Sequence, residues 1–172
     1  MLDRISNERK NLTRLAGEFL VASRLTQRGF MVSLQWGATI GYDILVFDKV
    51  GRVAFIEVKT SASHVAKWPL QKKYAWPEHD KIDTKARFVA CVDLTSKDCE
   101  PKVYMFPCLK IAAGLKYVYA GKFSNSPTFA FPLNQRPRGK SKDLEIVTLG
   151  EHIHANTYLE KYDHLGVEPL HS

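Results

Sequence analysis

Two apolar segments joined by a short glycine-containing loop constrain this fold more than any other feature of the sequence. Segments 43–48 and 52–59 have the length and composition of β-strands, and the three-residue loop between them ends in Gly51. Glycine at this position supplies the left-handed backbone that such a hairpin needs. The resulting register pairs residues whose numbers sum to 100, so it places Asp43 opposite Glu57. Both faces carry apolar residues, which favours strands that are covered on both sides.

The remaining periodicities predict further strands and helices around this hairpin. The predicted strands are 30–36, 43–48, 52–59, 87–94 and 102–106, and the predicted helices are 8–29, 70–75, 109–115 and 154–165. An antiparallel hairpin excludes a purely parallel, doubly wound sheet. The predicted fold class is therefore α/β or α+β, with a mixed central sheet and flanking helices.

The first predicted helix, 8–29, has the clearest amphipathic pattern, and Gly29 is suited to end it. The residues predicted to face the core are Leu12, Leu15, Ala16, Phe19, Ala22 and Leu25, and those on the other side are Arg14, Arg24 and Arg28. Glu18 falls inside the edge of the apolar stripe, where burial of an unpaired carboxylate is costly. It therefore needs a partner such as a metal ion, Lys59 or a backbone donor, unless it extends from the border into solvent.

Composition narrows the class of protein. The 172 residues, 45% hydrophobic and 25% charged, predict one domain over 1–172, with a core at about 8–115 and a C-terminal extension. No apolar run approaches the roughly 20 residues of a membrane-spanning helix, so no membrane is expected as a partner. Three cysteines without a CxxC pair favour the reducing cytoplasm over a disulfide scaffold. The net charge of +7 indicates an acidic partner, most simply nucleic acid.

A candidate catalytic group lies where the two hairpin strands end. Glu57 and Lys59 share a face of one strand, and Asp43 lies on the same face of the neighbouring strand. Opposed Cβ atoms are about 5 Å apart, so these carboxylates repel unless a cation or a proton lies between them. Oxygen ligands so spaced suit Mg²⁺, with the Val58 carbonyl as a further ligand and Mn²⁺ as a substitute ion. The alternative is a turn residue beside an exposed charge pair.

These residues resemble a known nuclease family, the PD-(D/E)xK superfamily. The motifs that carry the resemblance are Gly17-Glu18, Gly41-Tyr42-Asp43 and Glu57-Val58-Lys59. Over about residues 15–61 the chain is most similar to the archaeal Holliday-junction-resolvase-type branch and its uncharacterised bacterial relatives. The resemblance implies a restriction-endonuclease-like αβββαβ core, Mg²⁺-dependent cleavage of nucleic acid and, more weakly, a homodimer. It also implies metal ligation by Asp43 and Glu57. A catalytic Lys59 and an auxiliary Glu18 complete the implied site.

The chain departs from the family pattern at two places. Tyr42 stands where the family has proline, and Gln71 and Tyr74 are one residue too close for the QxxxY motif of the RecB-like branch. That motif is therefore not carried over to this chain.

Basic and aromatic residues outside these motifs are candidates for nucleic-acid contacts. The basic candidates are Lys72, Lys73, Arg136, Arg138 and Lys140. A solvated basic surface is the favoured explanation of these residues. Trp36, Trp68 and Trp76 could stack on bases, but packing in the core or at its rim is the favoured explanation. The sequence therefore predicts a Mg²⁺-dependent endonuclease acting on DNA, including branched or structured DNA. The alternatives are a catalytically inert nucleic-acid-binding module on the same fold and a basic domain unrelated to nucleic acid.

Overall fold

A computed structural model of the chain describes residues 2–36, 41–77, 84–95, 99–120, 122–123, 125, 128–138 and 147–170, with side chains from residue 7 onward. The helices are α1 (Leu2–Gln27), α2 (Cys108–Tyr119) and α3 (Leu149–His152). The strands are β1 (Met31–Leu34), β2 (Ile44–Phe47), β3 (Val53–Ser61), β4 (Lys67–Gln71), β5 (Arg87–Asp93), β6 (Lys102–Pro107) and β7 (Thr128–Pro132). No helix in this part of the chain has both the length and the apolar character needed to cross a membrane.

The central element is a five-stranded sheet with the strand order β1-β2-β3-β5-β6. Neighbouring strands are antiparallel except β3 and β5, which run parallel, so the predicted mixed sheet with flanking helices is confirmed. The predicted hairpin register is also confirmed, from Ile44 opposite Ile56 to Phe47 opposite Val53. Gly51 has a φ of +83° at the end of the hairpin loop, in the left-handed region that favours glycine.

Two apolar cores lie on opposite faces of this sheet. One core joins α1 and the C-terminal residues Tyr162, Leu165 and Val167 to the face of the sheet that carries Ile56 and Val58. The other core joins α2 and the small two-stranded sheet of β4 and β7 to the opposite face of β5 and β6. The parallel strand β5 is buried along nearly its whole length because it is covered from both sides.

The hairpin itself is covered less completely than its apolar residues predict. The fully buried residues are Ile44, Val46, Ala54, Ile56 and Val58, whereas Leu45, Phe47, Val53 and Phe55 on the other face are half-buried or exposed. The prediction that both faces are covered is therefore wrong for β2 and the start of β3. The second core is centred on β5 and β6, and it leaves the outer part of the sheet open.

Helix α1 begins earlier than predicted and buries a different face. Its buried residues are Gly17, Glu18, Val21, Ala22 and Leu25, whereas Leu12, Ala16 and Phe19 are exposed. The prediction that Leu12, Ala16 and Phe19 face the core is therefore wrong. The helix meets β3 at Gly17, where it approaches the Thr60 side chain closely, and this contact sets the rotation of the helix about its axis. The predicted C-terminal glycine is confirmed, since Gly29 has a φ of +84°.

Gly17→Ala is expected to lower the free energy of unfolding by about 1–3 kcal/mol, as overpacking of a rigid core does. A Cβ atom at Gly17 would lie 1.9 Å from Thr60 Oγ1, and Thr60 is branched and cannot move away easily. Urea unfolding of Gly17→Ala, Thr60→Ala and the double variant measures the effect, and the double variant should recover stability. Ala16→Ser, on the exposed side of the helix, is the control. A Gly17→Ala variant more stable than the parent would show that helix propensity outweighs the contact.

The short helix predicted at 70–75 is corrected by the structure. Residues 70–75 contribute to β4 and to a 3₁₀ turn, Lys72–Ala75. In β4 the buried residues Trp68 and Leu70 alternate with exposed ones, which is the two-residue period of a strand. Between β3 and β5, the described residues therefore contain a strand and 3₁₀ turns, and the helix that covers this face, α2, follows β6. The αβββαβ order implies a helix directly after the third strand, whereas α2 comes later in the chain, after β6.

The predicted final helix at 154–165 is also wrong. This interval forms two 3₁₀ turns, Ala155–Tyr158 and Asp163–Leu165, after the single helical turn of α3. His154 and Glu160 have positive φ angles of 53° and 52°, which are incompatible with a continuous right-handed helix. Tertiary contacts hold the backbone in this shape, since the Glu160 carboxylate binds Arg24 of α1 and accepts a hydrogen bond from the backbone N–H of Val103.

Candidate active site

Asp43 lies just before β2 and is held by hydrogen bonds to both neighbouring strands. Its backbone N–H donates to Ile56 O at 2.9 Å, and its Oδ2 accepts from the backbone N–H of Val58 at 2.7 Å. Its carbonyl accepts from the N–H of Gln35 at 2.8 Å. The two bonds to β3 bracket Glu57, so Asp43 lies beside that position. The carbonyl of Val58 points to the same side as its N–H, because both groups of a strand residue face the same neighbouring strand.

Glu57 and Lys59 point to the same face of β3, and they form an ion pair. Lys59 Nζ lies 2.5 Å from Glu57 Oε1, and the two side chains are only 25% and 14% exposed. The second carboxylate oxygen, Glu57 Oε2, is buried and has no hydrogen-bond donor among the residues that the structure describes. An anionic oxygen in this state favours a nearby cation.

Arg87 is a cationic neighbour of Glu57 that the sequence reasoning missed. It is the first residue of β5 and is almost fully buried. Its Nη2 lies 3.9 Å from Glu57 Oε2 and donates a hydrogen bond of 3.3 Å to the carbonyl of Gly41. Arg87 thus connects Glu57 to the segment that leads into Asp43. The signal was available in the sequence, since a charged residue opens an otherwise apolar buried strand.

Glu18 is turned towards the sheet, as its position in the helix predicts, and it is only 5% exposed. Its partner is Arg14, whose Nη1 lies 2.5 Å from Glu18 Oε1, although Arg14 was predicted to lie away from the apolar stripe. Burial raises the pKa of Glu18, and the negative charge of Asp43 raises it further, while Arg14 and Lys59 act in the opposite direction. Glu18 is therefore electrostatically coupled, from helix α1, to both Asp43 and Lys59.

Glu18→Gln is expected to become more stable relative to the parent protein as the pH rises. The pKa of Glu18 is raised above its ordinary value of 4.5, so ionisation destabilises the folded parent as the pH rises from 4.5 through the folded-state pKa. A glutamine side chain does not ionise, so the variant is not destabilised in this way as the pH rises. Urea unfolding of both proteins at pH 4 and pH 7 measures the difference.

Glu151→Gln is the matched control for this experiment, with the opposite sign. Hydrogen bonds from Thr148 lower the pKa of Glu151 in the capping box that begins α3. Its ionised form therefore stabilises the fold above its ordinary pKa, and this contribution is lost as the pH falls. The glutamine variant should lose stability relative to the parent between pH 4 and pH 7. A Glu18→Gln variant whose stability relative to the parent does not change with pH would contradict the burial of an ionisable Glu18.

The oxygen atoms around Asp43 suit a hard divalent cation. They consist of the Asp43 and Glu57 carboxylates and the Val58 carbonyl, and Mg²⁺ prefers such ligands and keeps several waters. The buried Glu57 Oε2 without a donor fits this use. Within the described residues, no group of three His, Cys, Asp or Glu side chains is arranged to hold a metal ion. Glu18 thus does not join Asp43 and Glu57 in such a group.

The predicted basic contacts fall into separate places. Lys72 and Lys73 are exposed in the 3₁₀ turn after β4, and Lys73 Nζ would lie 3.6 Å from a Cβ atom at Gly41, beside the candidate site. Arg138 lies over the Tyr119 ring at 5.5 Å, and the charge of Arg136 acts on Glu151, so both have neighbours outside the candidate site. Lys140 lies outside the described residues.

The tryptophans also differ in environment. Trp68 is fully buried, and its ring N–H donates to the Val92 carbonyl at 2.9 Å. Trp76 packs against Phe123 with ring centroids 4.6 Å apart. Trp36 is 70% exposed. Cys91 is fully buried, and burial raises the pKa of its thiol, which excludes the reactive thiolate that a nucleophile needs.

The comparisons with known proteins include a structural similarity. No protein family matches the chain, and no curated protein sequence matches it. The solved structure of a bacterial homing endonuclease, I-Ssp6803I, is similar over 87% of this chain and 86% of that chain, with a TM-score of 0.45 and 14% sequence identity. A similarity of this extent assigns neither a family nor an activity to the chain.

Proposed function

We propose that the chain is a Mg²⁺-dependent endonuclease of the PD-(D/E)xK type, which hydrolyses phosphodiester bonds in DNA. The observation that carries the proposal is the group at the start of β2 and the middle of β3. There the nearly buried Glu57 pairs with Lys59, and Asp43 is held beside it by the backbone of Val58. Carboxylates, a carbonyl and a lysine next to each other are the components that metal-assisted phosphodiester hydrolysis requires.

Each residue has a defined role in this proposal. Asp43, Glu57 and the Val58 carbonyl would hold Mg²⁺, which when bound supplies Lewis-acid stabilisation of the negative charge on the phosphate. The Lys59 ammonium group orients an attacking water and offsets charge that develops on the phosphate oxygens. Glu18 assists as a buried carboxyl group whose raised pKa makes it a better proton acceptor than an ordinary glutamate.

The charge of the protein supports DNA as the substrate. The chain carries a net charge of +7, Lys73 is exposed beside the candidate site, and Lys72 is exposed next to Lys73 in the chain. Such lysines bind phosphate with release of counterions, so DNA affinity should fall steeply as the salt concentration rises. Arg136, Arg138 and Lys140 extend the proposed contacts to a second part of the surface.

The alternative function is a nucleic-acid-binding module without turnover. It is favoured by the resident cations, since Lys59 and Arg87 lie against Glu57, and Arg14 pairs with Glu18. In this alternative the arginine and lysine side chains neutralise the carboxylates in place of a metal ion, and the group stabilises the fold.

Cleavage assays separate the two functions. Purified protein is incubated with branched, single-stranded and duplex DNA in Mg²⁺, Mn²⁺ or EDTA, and binding to the same DNA is measured in parallel. Cleavage that requires the divalent ion supports the endonuclease. Binding without cleavage in any metal supports the inert module, and neither binding nor cleavage contradicts both.

A further inference from the structure

Two exposed aromatic rings, one on α1 and one just after β1, contact each other. Phe19 of α1 and Trp36, which follows β1, have ring centroids 6.0 Å apart. The side chains are 47% and 70% exposed, which is unusual for residues of this size outside binding surfaces. We call these two rings the aromatic pair. They belong neither to the two apolar cores nor to the proposed catalytic group.

The chain neighbours of the aromatic pair connect it to Asp43. Trp36 follows Gln35, whose N–H donates to the Asp43 carbonyl at 2.8 Å. Phe19 contacts Trp36 from α1. The pair therefore lies on the β1 side of Asp43, and Lys73 lies on the side of Gly41.

The size of the aromatic pair argues against a protein partner. An aromatic side chain buries about 150–250 Å² when fully covered. Leu12 lies two turns before Phe19 on the same face of α1, and together with the aromatic pair it offers a few hundred Å² at most. A stable dimer interface needs about 800 Å² from each partner. The area instead matches one or two nucleobases, each of which presents a flat apolar face.

The charge of the chain fits a polyanionic strand. The net charge is +7, and the exposed Arg9 projects on the same half of α1 as Phe19 at about 3.6 residues per turn. Aromatic faces next to basic side chains form the usual binding surface for unpaired nucleic-acid strands.

We propose that the aromatic pair stacks with unpaired bases of DNA, so that the substrate carries a single-stranded segment next to the cleaved bond. This inference rests on the proposed nuclease function for the position of the cut, but the stacking itself does not require turnover. A base in a duplex is stacked on its neighbours and cannot reach the rings unless it is extruded. Fully paired DNA would therefore bind through its phosphates alone.

Equilibrium binding without turnover tests the stacking. Fluorescently labelled dT12 and a blunt 12-base-pair duplex are titrated in EDTA with the parent, Trp36→Ala and Phe19→Ala. Each variant is expected to bind dT12 about 10-fold or more weakly, as loss of a base–aromatic stack does, and to bind the duplex within about 2-fold of the parent. Trp36→Phe keeps a ring and should retain most of the affinity for dT12. Val50→Ala, at the exposed tip of the hairpin, is the matched control for loss of a surface apolar side chain.

Several outcomes would overturn the proposal. If the alanine variants bind dT12 as tightly as the parent, the rings do not stack with bases. If the variants lose the same affinity for dT12 and for the duplex, the substitutions have a general effect on the surface and the stacking proposal is wrong. Sedimentation of the parent as a dimer and of Trp36→Ala as a monomer would identify the aromatic pair as a contact between copies of the chain.

Cleavage in Mg²⁺ separates this inference from the proposed function. A duplex with a dT8 tail should be cut faster than the blunt duplex, and Trp36→Ala should abolish the difference. If Trp36→Ala cleaves both substrates at the rates of the parent, the stacking proposal is wrong and the nuclease function stands. If binding of dT12 depends on the rings but no metal supports cleavage, the nuclease function is wrong and the stacking proposal stands.

Discussion

Asp43→Asn is expected to lower the rate of DNA cleavage by about 10³-fold, because a metal ion supplies several kcal/mol of transition-state stabilisation that depends on its anionic ligands. Asparagine has nearly the same shape as aspartate, and its side-chain oxygen can still accept the hydrogen bond from the N–H of Val58. The fold should therefore be preserved while the negative charge is lost. Calorimetric titration with Mn²⁺ in the absence of DNA should show a weaker binding constant.

Asp163→Asn is the control for this substitution, since Asp163 is exposed in a 3₁₀ turn near the C-terminus. It should leave both metal binding and cleavage unchanged. An Asp43→Asn variant with the parent's Mn²⁺ affinity and cleavage rate would remove Asp43 from the metal site.

Lys59→Ala is expected to reduce cleavage by about 10²-fold or more, as removal of one electrostatic group at a transition state does. Lys59 Nζ lies 2.5 Å from Glu57 Oε1, so the ammonium group is positioned by the same carboxylate that is proposed to bind the metal. Its loss leaves the nearly buried Glu57 carboxylate without its closest cation, so the midpoint of urea unfolding should fall as well. Single-turnover cleavage rates and urea unfolding, measured on the same preparations, separate the two effects.

Lys67→Ala is the matched control, because Lys67 is an exposed lysine on β4. It should weaken DNA binding no more than other exposed lysines do, and it should leave the single-turnover rate unchanged. A Lys59→Ala variant that cleaves at the rate of the parent would make Lys59 an ordinary partner of Glu57 without a catalytic role.

The sequence alone determined the hairpin and the positions of the candidate residues along it. Its register depends on the three-residue loop, on Gly51 and on the alternation of apolar residues, all of which act between residues close in the chain. Glu57 and Lys59 share a face for the same reason, since side chains two apart on a strand point the same way. The strands β5 and β6 were equally predictable from their continuous apolar runs and the short connection between them.

Only the tertiary structure decided which partners these residues have. A helical projection places Glu18 towards the sheet, but whether its carboxylate meets Lys59, a backbone donor or Arg14 depends on how α1 rests on β3 at Gly17. The ion pair of Glu57 with Arg87 likewise requires the parallel pairing of β3 with β5, which lie far apart in sequence.

The same physical reason explains the exposed face of α1 and the C-terminal segment. Phe19 and Leu12 have the periodicity of core residues, yet they are exposed because the helix turns its glycine side to the sheet. The segment 154–165 has a helical pattern, yet contacts of Glu160 with α1 and β6 hold its backbone in turns. Apolar periodicity reports that a side chain is suited to burial, but which surface covers it is decided by long-range packing, because contacts between distant segments outweigh local propensity.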